Sequence, residues 1–83
     1  MLESIESYRN LFLATYTVEG DSLYRGYTKV CVLRPESVWD VREPVRKLTS
    51  GDCAQERQAH DLSLAAARRF LDSVAEAMAQ RQA

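Results

Sequence analysis

The chain has 83 residues, of which 46% are hydrophobic and 28% are charged, and its formal net charge is −1. This length accommodates a single domain, 1–83, with a small core, so marginal stability or support from a partner subunit is expected. The near-zero charge argues against a uniformly basic binder of polyanions, and the hydrophobic content argues against a disordered tail.

The N-terminal residues 1–7 are expected to form an arm. Glu3 and Glu6 stand where a signal or transit peptide carries basic residues, and no stretch approaches the roughly 18–20 apolar residues of a membrane span. Two cysteines are too few for a disulfide-rich secreted scaffold. We therefore expect a soluble, cytoplasmic and full-length protein that does not contact a membrane.

Residues 8–48 are expected to form an antiparallel sheet, beginning with a hairpin. Tyr8–Val18 is dense in aromatic and β-branched residues, which suit a half-buried strand. The turn-forming residues Glu19–Ser22 predict a tight reversal into a second strand, Leu23–Arg34. Pro35 ends that strand because proline has no amide hydrogen for the ladder.

The third strand is predicted at Val38–Arg42, where Trp39 and Val41 alternate with polar residues. Pro44 follows closely, which favours an edge position for this strand or an early end to it. Pairing of this strand with either the first or the second strand agrees with the sequence.

A helix is predicted over 52–81. The chain after Gly51 is rich in alanine, leucine, arginine and glutamine and contains neither proline nor glycine. Asp52 and Gln55 have the spacing of a capping box. One broad helix face is mostly apolar: Ala59, Ser63, Ala67, Phe70, Leu71, Val74 and Met78. The predicted fold is therefore α+β, with a three-stranded antiparallel sheet in βββα order covered by one long C-terminal helix.

Odd- and even-numbered residues of a strand lie on opposite faces, because successive side chains point to opposite sides of a sheet. The residue types at these positions therefore predict which face is turned to the core. The uncharged even-numbered residues of the second strand are predicted to face the core: Tyr24, Gly26, Thr28, Val30 and Val32. In the first strand the even-numbered set is again favoured for the core: Phe12, Ala14, Tyr16 and Val18. These choices place Leu11 and Leu13 outward, beside Arg25, Tyr27 and Lys29.

The sequence offers little chemistry, and no enzyme, cofactor or metal site is expected. Cys53, Glu56 and His60 are spaced to share one side of a helix, but a single helix rarely supplies a complete tetrahedral site. Cys53 in a first helical turn would have some thiolate character, while Cys31 has the pattern of a small apolar strand residue. No nucleophile–base motif and no glycine-rich phosphate loop is present.

The leading functional hypothesis is protein–protein contact, as a homodimer or as an accessory or regulatory partner. An outward patch of Leu11, Leu13 and Tyr27 would gain stability by pairing with another chain. We expect such contact to be nearly independent of salt.

The alternative is a nucleic-acid-binding module. The net charge is −3 over residues 1–22, +3 over 23–47 and −1 over the remainder, so a basic middle lies within a near-neutral chain. A basic sheet face with an aromatic ring binds single strands by stacking and phosphate contact. The candidate residues are Arg25, Tyr27, Lys29, Arg42, Arg46 and Lys47.

The segment order over residues 10–75, with the Thr-Ser-Gly-Asp turn at 49–52 before an alanine-rich amphipathic helix, resembles small bacterial domains of HicB-type antitoxins. The resemblance implies a truncated double-stranded-RNA-binding fold. The Pro-Asp-Leu-Pro-Gly type segment of those antitoxins is absent, and the helix opens with Asp52 rather than with phosphate-binding lysines. No binding residue is carried over.

Overall fold

A computed structural model describes residues 1–82 as a four-stranded antiparallel sheet with one helix packed on it. The sheet is a meander of order β1-β2-β3-β4, and the elements are β1 Glu3–Tyr8, β2 Leu11–Glu19, β3 Tyr24–Cys31, β4 Arg46–Cys53 and α1 Glu56–Gln82. The predicted α+β class with a C-terminal helix on an antiparallel sheet is confirmed. The predicted number of strands, three, is wrong. Within residues 1–82, α1 lacks the apolar stretch that a membrane-spanning helix requires.

The extra strand is β1, which occupies most of the segment predicted to be an arm. β1 pairs with β2 through a two-residue turn, Arg9 and Asn10, whose φ angles are 49° and 64°. Positive φ at both central residues matches the twist of a hairpin. The predicted strand Tyr8–Val18 therefore contains a reversal, which the sequence conceals because neither turn residue is glycine or proline.

The predicted third strand, Val38–Arg42, is wrong, because these residues lie in the loop between β3 and β4. The last strand is instead β4, which includes the predicted turn 49–52. A bulge accommodates the turn-forming residues: Gly51 has φ of 76°, and the register shifts opposite Gly26, whose N–H donates to Ser50 Oγ at 2.8 Å. Asp52 is paired in the sheet, so α1 begins at Glu56 and not at Asp52.

The helix covers the face of the sheet that carries Leu13 and Val30, which are Cα partners. These two residues form a buried cluster with Leu64, Ala67 and Leu71 of α1. The prediction that even-numbered residues of the first strand face the core beneath the helix is wrong. Antiparallel partners share a face, and the register pairs odd residues of β2 with even residues of β3. The prediction for β3 is confirmed at Gly26, Thr28 and Val30, although Val32 is exposed.

Gly26 lets the helix approach the sheet closely. A β-carbon at this position would lie 2.8 Å from Ser63 Oγ and would overlap the backbone carbonyl of Ala59. Hydroxyl groups fill the adjoining layer: Thr28 Oγ1 is 2.8 Å from Thr15 Oγ1 and donates to Ser63 Oγ at 3.2 Å. These buried hydroxyls are hydrogen-bonded, so they do not carry the cost of an unpaired polar group.

The opposite face, called the far face below, is partly covered by the loop of residues 32–45. Val38 of this loop is buried against Ala14 and Cys31, and Val41 packs against the same cluster. The remaining part of the far face, toward the turn between β2 and β3, carries the side chains that form the candidate site.

Candidate nucleic-acid interface

Three aromatic rings meet on the far face. Tyr16 and Tyr27 are Cα partners on β2 and β3, and their rings stack with centroids 5.4 Å apart and an interplanar angle of 26°. Trp39, from the loop of residues 32–45, packs on Tyr16 with a centroid separation of 4.6 Å. Tyr16 is only 5% exposed, whereas Trp39 is 52% exposed. The indole is therefore available to a flat apolar ligand.

Both lysines of the sequence, Lys29 and Lys47, lie on this face as direct Cα partners on β3 and β4. Lys47 Nζ lies 4.7 Å from the Tyr27 ring centroid, and Lys29 Nζ lies 5.2 Å from that of Tyr16. Lys29 Nζ also donates to the Val38 carbonyl at 3.2 Å. We call Tyr16, Tyr27, Lys29, Trp39 and Lys47 the aromatic–lysine cluster.

The electrostatics of the cluster favour an anionic ligand. Like charges placed directly opposite each other destabilise a sheet, and cation–π contacts offset only part of that cost. Within residues 1–82 neither Lys29 nor Lys47 has a carboxylate within ion-pair distance. The two ammonium groups therefore form a positive site without an ion-pair partner among residues 1–82.

Arg25 and Asp52 form an exposed ion pair on the same face, nearer the β2–β3 turn. Arg25 Nε and Nη2 donate to the same oxygen, Asp52 Oδ1, at 3.0 and 2.6 Å. The hydrogen bonds to Asp52 raise the pKa of Arg25 above its already high ordinary value, so the guanidinium stays charged. This ion pair lies at the end of the candidate interface that is nearest the β2–β3 turn.

Four of the six predicted nucleic-acid residues lie on the far face: Arg25, Tyr27, Lys29 and Lys47. Arg46 does not join them, because its guanidinium lies 5.1 Å from the Phe70 ring of α1. Arg42 lies in the loop, beside Val41 and Glu43. Sequence reasoning missed Tyr16 and Trp39, since one was assigned to the helix-covered face and the other to an edge strand.

The predicted interface of Leu11, Leu13 and Tyr27 is not assembled. Leu13 is 0% exposed beneath α1, and Leu11 is half-buried against the same cluster. Tyr27 alone of the three is on the outward face. The hairpin register is the physical reason, because it turns the odd-numbered side chains of β2 toward the helix.

The spacing of Cys53, Glu56 and His60 does not produce a metal site. Cys53 is in β4, Glu56 Oε2 accepts from Thr17 Oγ1 at 2.9 Å, and residues 1–82 contain no cluster of three metal-ligating side chains. The Thr17 hydrogen bond, followed by the nearby N-terminal ammonium, holds the pKa of Glu56 below its usual range. Cys31 and Cys53 are both buried free thiols, and burial raises the pKa of Cys31, which reduces its reactivity.

His60 lies between Ser4 and Asp61 in a chain of hydrogen bonds that joins β1 to α1. Its Nε2 is 2.9 Å from Ser4 Oγ, and its Nδ1 is 2.9 Å from Asp61 Oδ1. Serine hydrolases arrange the same three groups in this order, but their carboxylate is buried. The Asp61 side chain is 61% exposed, so we assign these contacts to the attachment of the edge strand.

Comparisons of the chain with protein-family models, with curated proteins and with solved structures give no match. The fold is that of a two-layer α+β domain with an antiparallel meander under one helix. Its distinguishing feature is a sheet face that combines stacked aromatic rings with two lysines held against them.

Proposed function

We propose that this protein binds single-stranded nucleic acid on the far face of its sheet, through the aromatic–lysine cluster. The observation that carries the proposal is the arrangement of both lysines and exposed Trp39 around the Tyr16 ring, with no carboxylate of residues 1–82 within ion-pair distance of either lysine. An anion pairs with the two ammonium groups, and a flat apolar ring stacks on the indole. A nucleotide supplies both in one ligand.

Each part of the cluster has a separate role. Lys29 and Lys47 contact phosphate oxygens as compact point charges. Trp39 stacks on an unpaired base, a contact worth about 1–3 kcal/mol. Tyr16 is too buried to stack and instead supports Trp39 and the lysines. The ligand is single-stranded, because the bases of a duplex are not free to stack on a protein ring.

The charge requirement is tested by fluorescence anisotropy with a labelled ten-residue oligothymidylate at several salt concentrations. Loss of two phosphate contacts in Lys29→Ala/Lys47→Ala should weaken binding and reduce the salt slope by about 1.4. The matched control is Arg57→Ala/Arg69→Ala, which removes the same charge from exposed positions of α1. Equal loss in both double variants, or no binding by the natural chain at low salt, contradicts the proposal.

The stacking requirement has its own readout, because Trp39 is the only tryptophan. The oligonucleotide should quench its fluorescence, and Trp39→Ala should cost about 1–3 kcal/mol of binding free energy. Binding without quenching would show that the indole takes no part.

A second candidate function is self-association through an apolar end of the molecule, where β3 ends. Ala59 lies beside Gly26 and Leu71 lies in the Val30 cluster, so α1 runs along β3 and extends past its end. Val32, Leu33 and Val45 line one cavity beyond the end of β3, and Val74 and Met78 are exposed on the last turns of the helix. Contiguous apolar surface is typical of protein contacts.

Sedimentation velocity at high micromolar concentration distinguishes this candidate from nucleic-acid binding. A salt-insensitive dimer that Leu33→Asp/Met78→Asp converts to monomer would support it. A strict monomer for the natural chain would rule it out, whatever the oligonucleotide result.

A further inference from the structure

A cavity of about 330 Å³ lies at the turn between β2 and β3, continuous with the aromatic–lysine cluster. Tyr27 belongs to both, because its ring stacks on Tyr16 and also lines the cavity. Val18 and Leu23 provide apolar walls, and both are partly exposed. The cavity therefore has aromatic and aliphatic surfaces against which the flat face of a base packs.

The polar side of the cavity consists of Arg25, Asp52 and Asp21. Both donors of Arg25 are directed to Asp52 Oδ1, and no group within residues 1–82 donates to Asp52 Oδ2. The Arg25 and Asp52 side chains are each about half exposed, so a ligand reaches them without displacing the core. The site consequently offers a free carboxylate oxygen beside a fixed guanidinium.

Among the common bases, only guanine presents two adjacent hydrogen-bond donors to a carboxylate. Guanine carries N1–H next to its exocyclic N2 amino group, whereas adenine and cytosine place a ring acceptor next to their amino group. Thymine and uracil have one N–H between two carbonyl acceptors. An accepting carboxylate favours guanine and disfavours a base that presents an acceptor to it.

We propose that this cavity binds a guanine base of the single strand, with Asp52 Oδ2 accepting from both its N1–H and its N2 amino group. The inference rests on the proposed function, since the strand is held by Lys29 and Lys47. Arg25 holds the carboxylate in place, and Tyr27 and Val18 contact the plane of the base. The site thereby adds a base preference to an interface that is otherwise indifferent to sequence.

The test compares three labelled ten-residue oligonucleotides: oligothymidylate, the same with one central guanine, and the same with one central adenine. We expect about tenfold tighter binding of the guanine oligonucleotide than of the other two, the size of a hydrogen bond to a charged acceptor. Asp52→Asn should abolish this preference, so that the guanine and adenine oligonucleotides bind with equal affinity. Asp61→Asn, an exposed aspartate on α1, is the matched control and should retain the preference.

The outcomes separate this inference from the proposed function. Binding of all three oligonucleotides with equal affinity, or tightest binding of the adenine oligonucleotide, would overturn guanine recognition and leave single-strand binding intact. Failure of all three to bind would overturn both. Should Asp52→Asn not fold, competition by 5′-GMP against 5′-AMP on the natural chain decides the point, because guanine recognition requires GMP to compete better.

Discussion

The two faces of one sheet are closed in different ways. α1 seals one face, where Leu13 is fully buried, Gly26 admits the helix backbone and the hydroxyls of Thr15 and Thr28 pair with each other. A loop covers only part of the far face and leaves Lys47 and Trp39 exposed and Lys29 half-buried. The contrast teaches that stability and binding are carried by different side chains of the same strands. Substitutions should therefore affect one property without the other.

The largest effect on the helix-covered face is expected at Gly26. Gly26→Ala would drive a methyl group into the carbonyl of Ala59, which is backbone and cannot rotate away, so we expect a loss of more than about 3 kcal/mol. Urea unfolding followed by circular dichroism measures it. Gly20→Ala is the control, because a β-carbon there meets only ordinary contact at 3.8 Å. Equal stability of the two variants would contradict the close approach of the helix.

A pair of leucines measures the difference between buried and exposed positions directly. Leu13→Ala should cost about 3 kcal/mol, since it removes a side chain from the middle of the core. Leu33→Ala, at a position 81% exposed, should change the free energy of unfolding by less than about 0.5 kcal/mol. Similar costs at both positions would show that the hairpin register is not the one described.

The buried hydroxyl layer should give a smaller effect. Thr28→Val leaves Thr15 and Ser63 without the hydroxyl that joins them, at an expected cost of about 1–2 kcal/mol. Thr49→Val is the comparison on β4, where the exposed hydroxyl accepts from Gly51 N–H at 3.2 Å and water can replace it, so a smaller cost is expected. Thermal unfolding of both variants provides the measurement, and a neutral Thr28→Val would indicate that the layer contributes little.

The smallest effect concerns pH and Asp72, which anchors the β1–β2 turn to α1. Hydrogen bonds from Tyr8 and then Arg9 hold the pKa of Asp72 below its usual range. A carboxyl whose pKa is lowered by folding contributes stability above its unfolded pKa of about 3.9, and this is lost as pH falls through the folded pKa. Asp72→Asn should thus lower the melting temperature slightly at pH 7 and not at acid pH.

The control for that comparison is Glu76→Gln, another exposed carboxylate of α1 with no ion pair in the described part of the chain. It should leave the melting temperature unchanged at both pH values. A persistent difference between Asp72→Asn and the natural chain at acid pH would show that the effect does not arise from the charged carboxylate.

Helical periodicity and strand alternation in the sequence predicted which side chains of α1 and β3 face each other. The apolar periodicity of α1 correctly placed Ala59, Ser63, Ala67 and Leu71 against the sheet. Alternation correctly placed Gly26 and Val30 of β3 beneath the helix. The same alternation puts Arg25, Tyr27 and Lys29 outward, which is the part of the candidate site that one strand supplies.

The other parts of the fold and of the candidate site depended on the pairing register between strands, which the sequence of one strand alone does not determine. Arg9 and Asn10 form a tight turn without glycine or proline, so β1 was hidden and the faces of β2 were reversed. That reversal placed Tyr16 on the wrong side in the prediction. Trp39 reaches the site from an irregular loop, where neither helical nor strand periodicity applies.

The central claim is that the far face binds single strands, and amide chemical-shift mapping tests it most directly. A ¹⁵N-labelled sample titrated with unlabelled oligothymidylate at low salt should show its largest shifts at Tyr27, Lys29, Lys47 and the indole N–H of Trp39. Ala59, Ala67 and Leu71, which lie under the sheet's other face, should move little. Shifts concentrated on α1, or none at saturating oligonucleotide, would contradict the account.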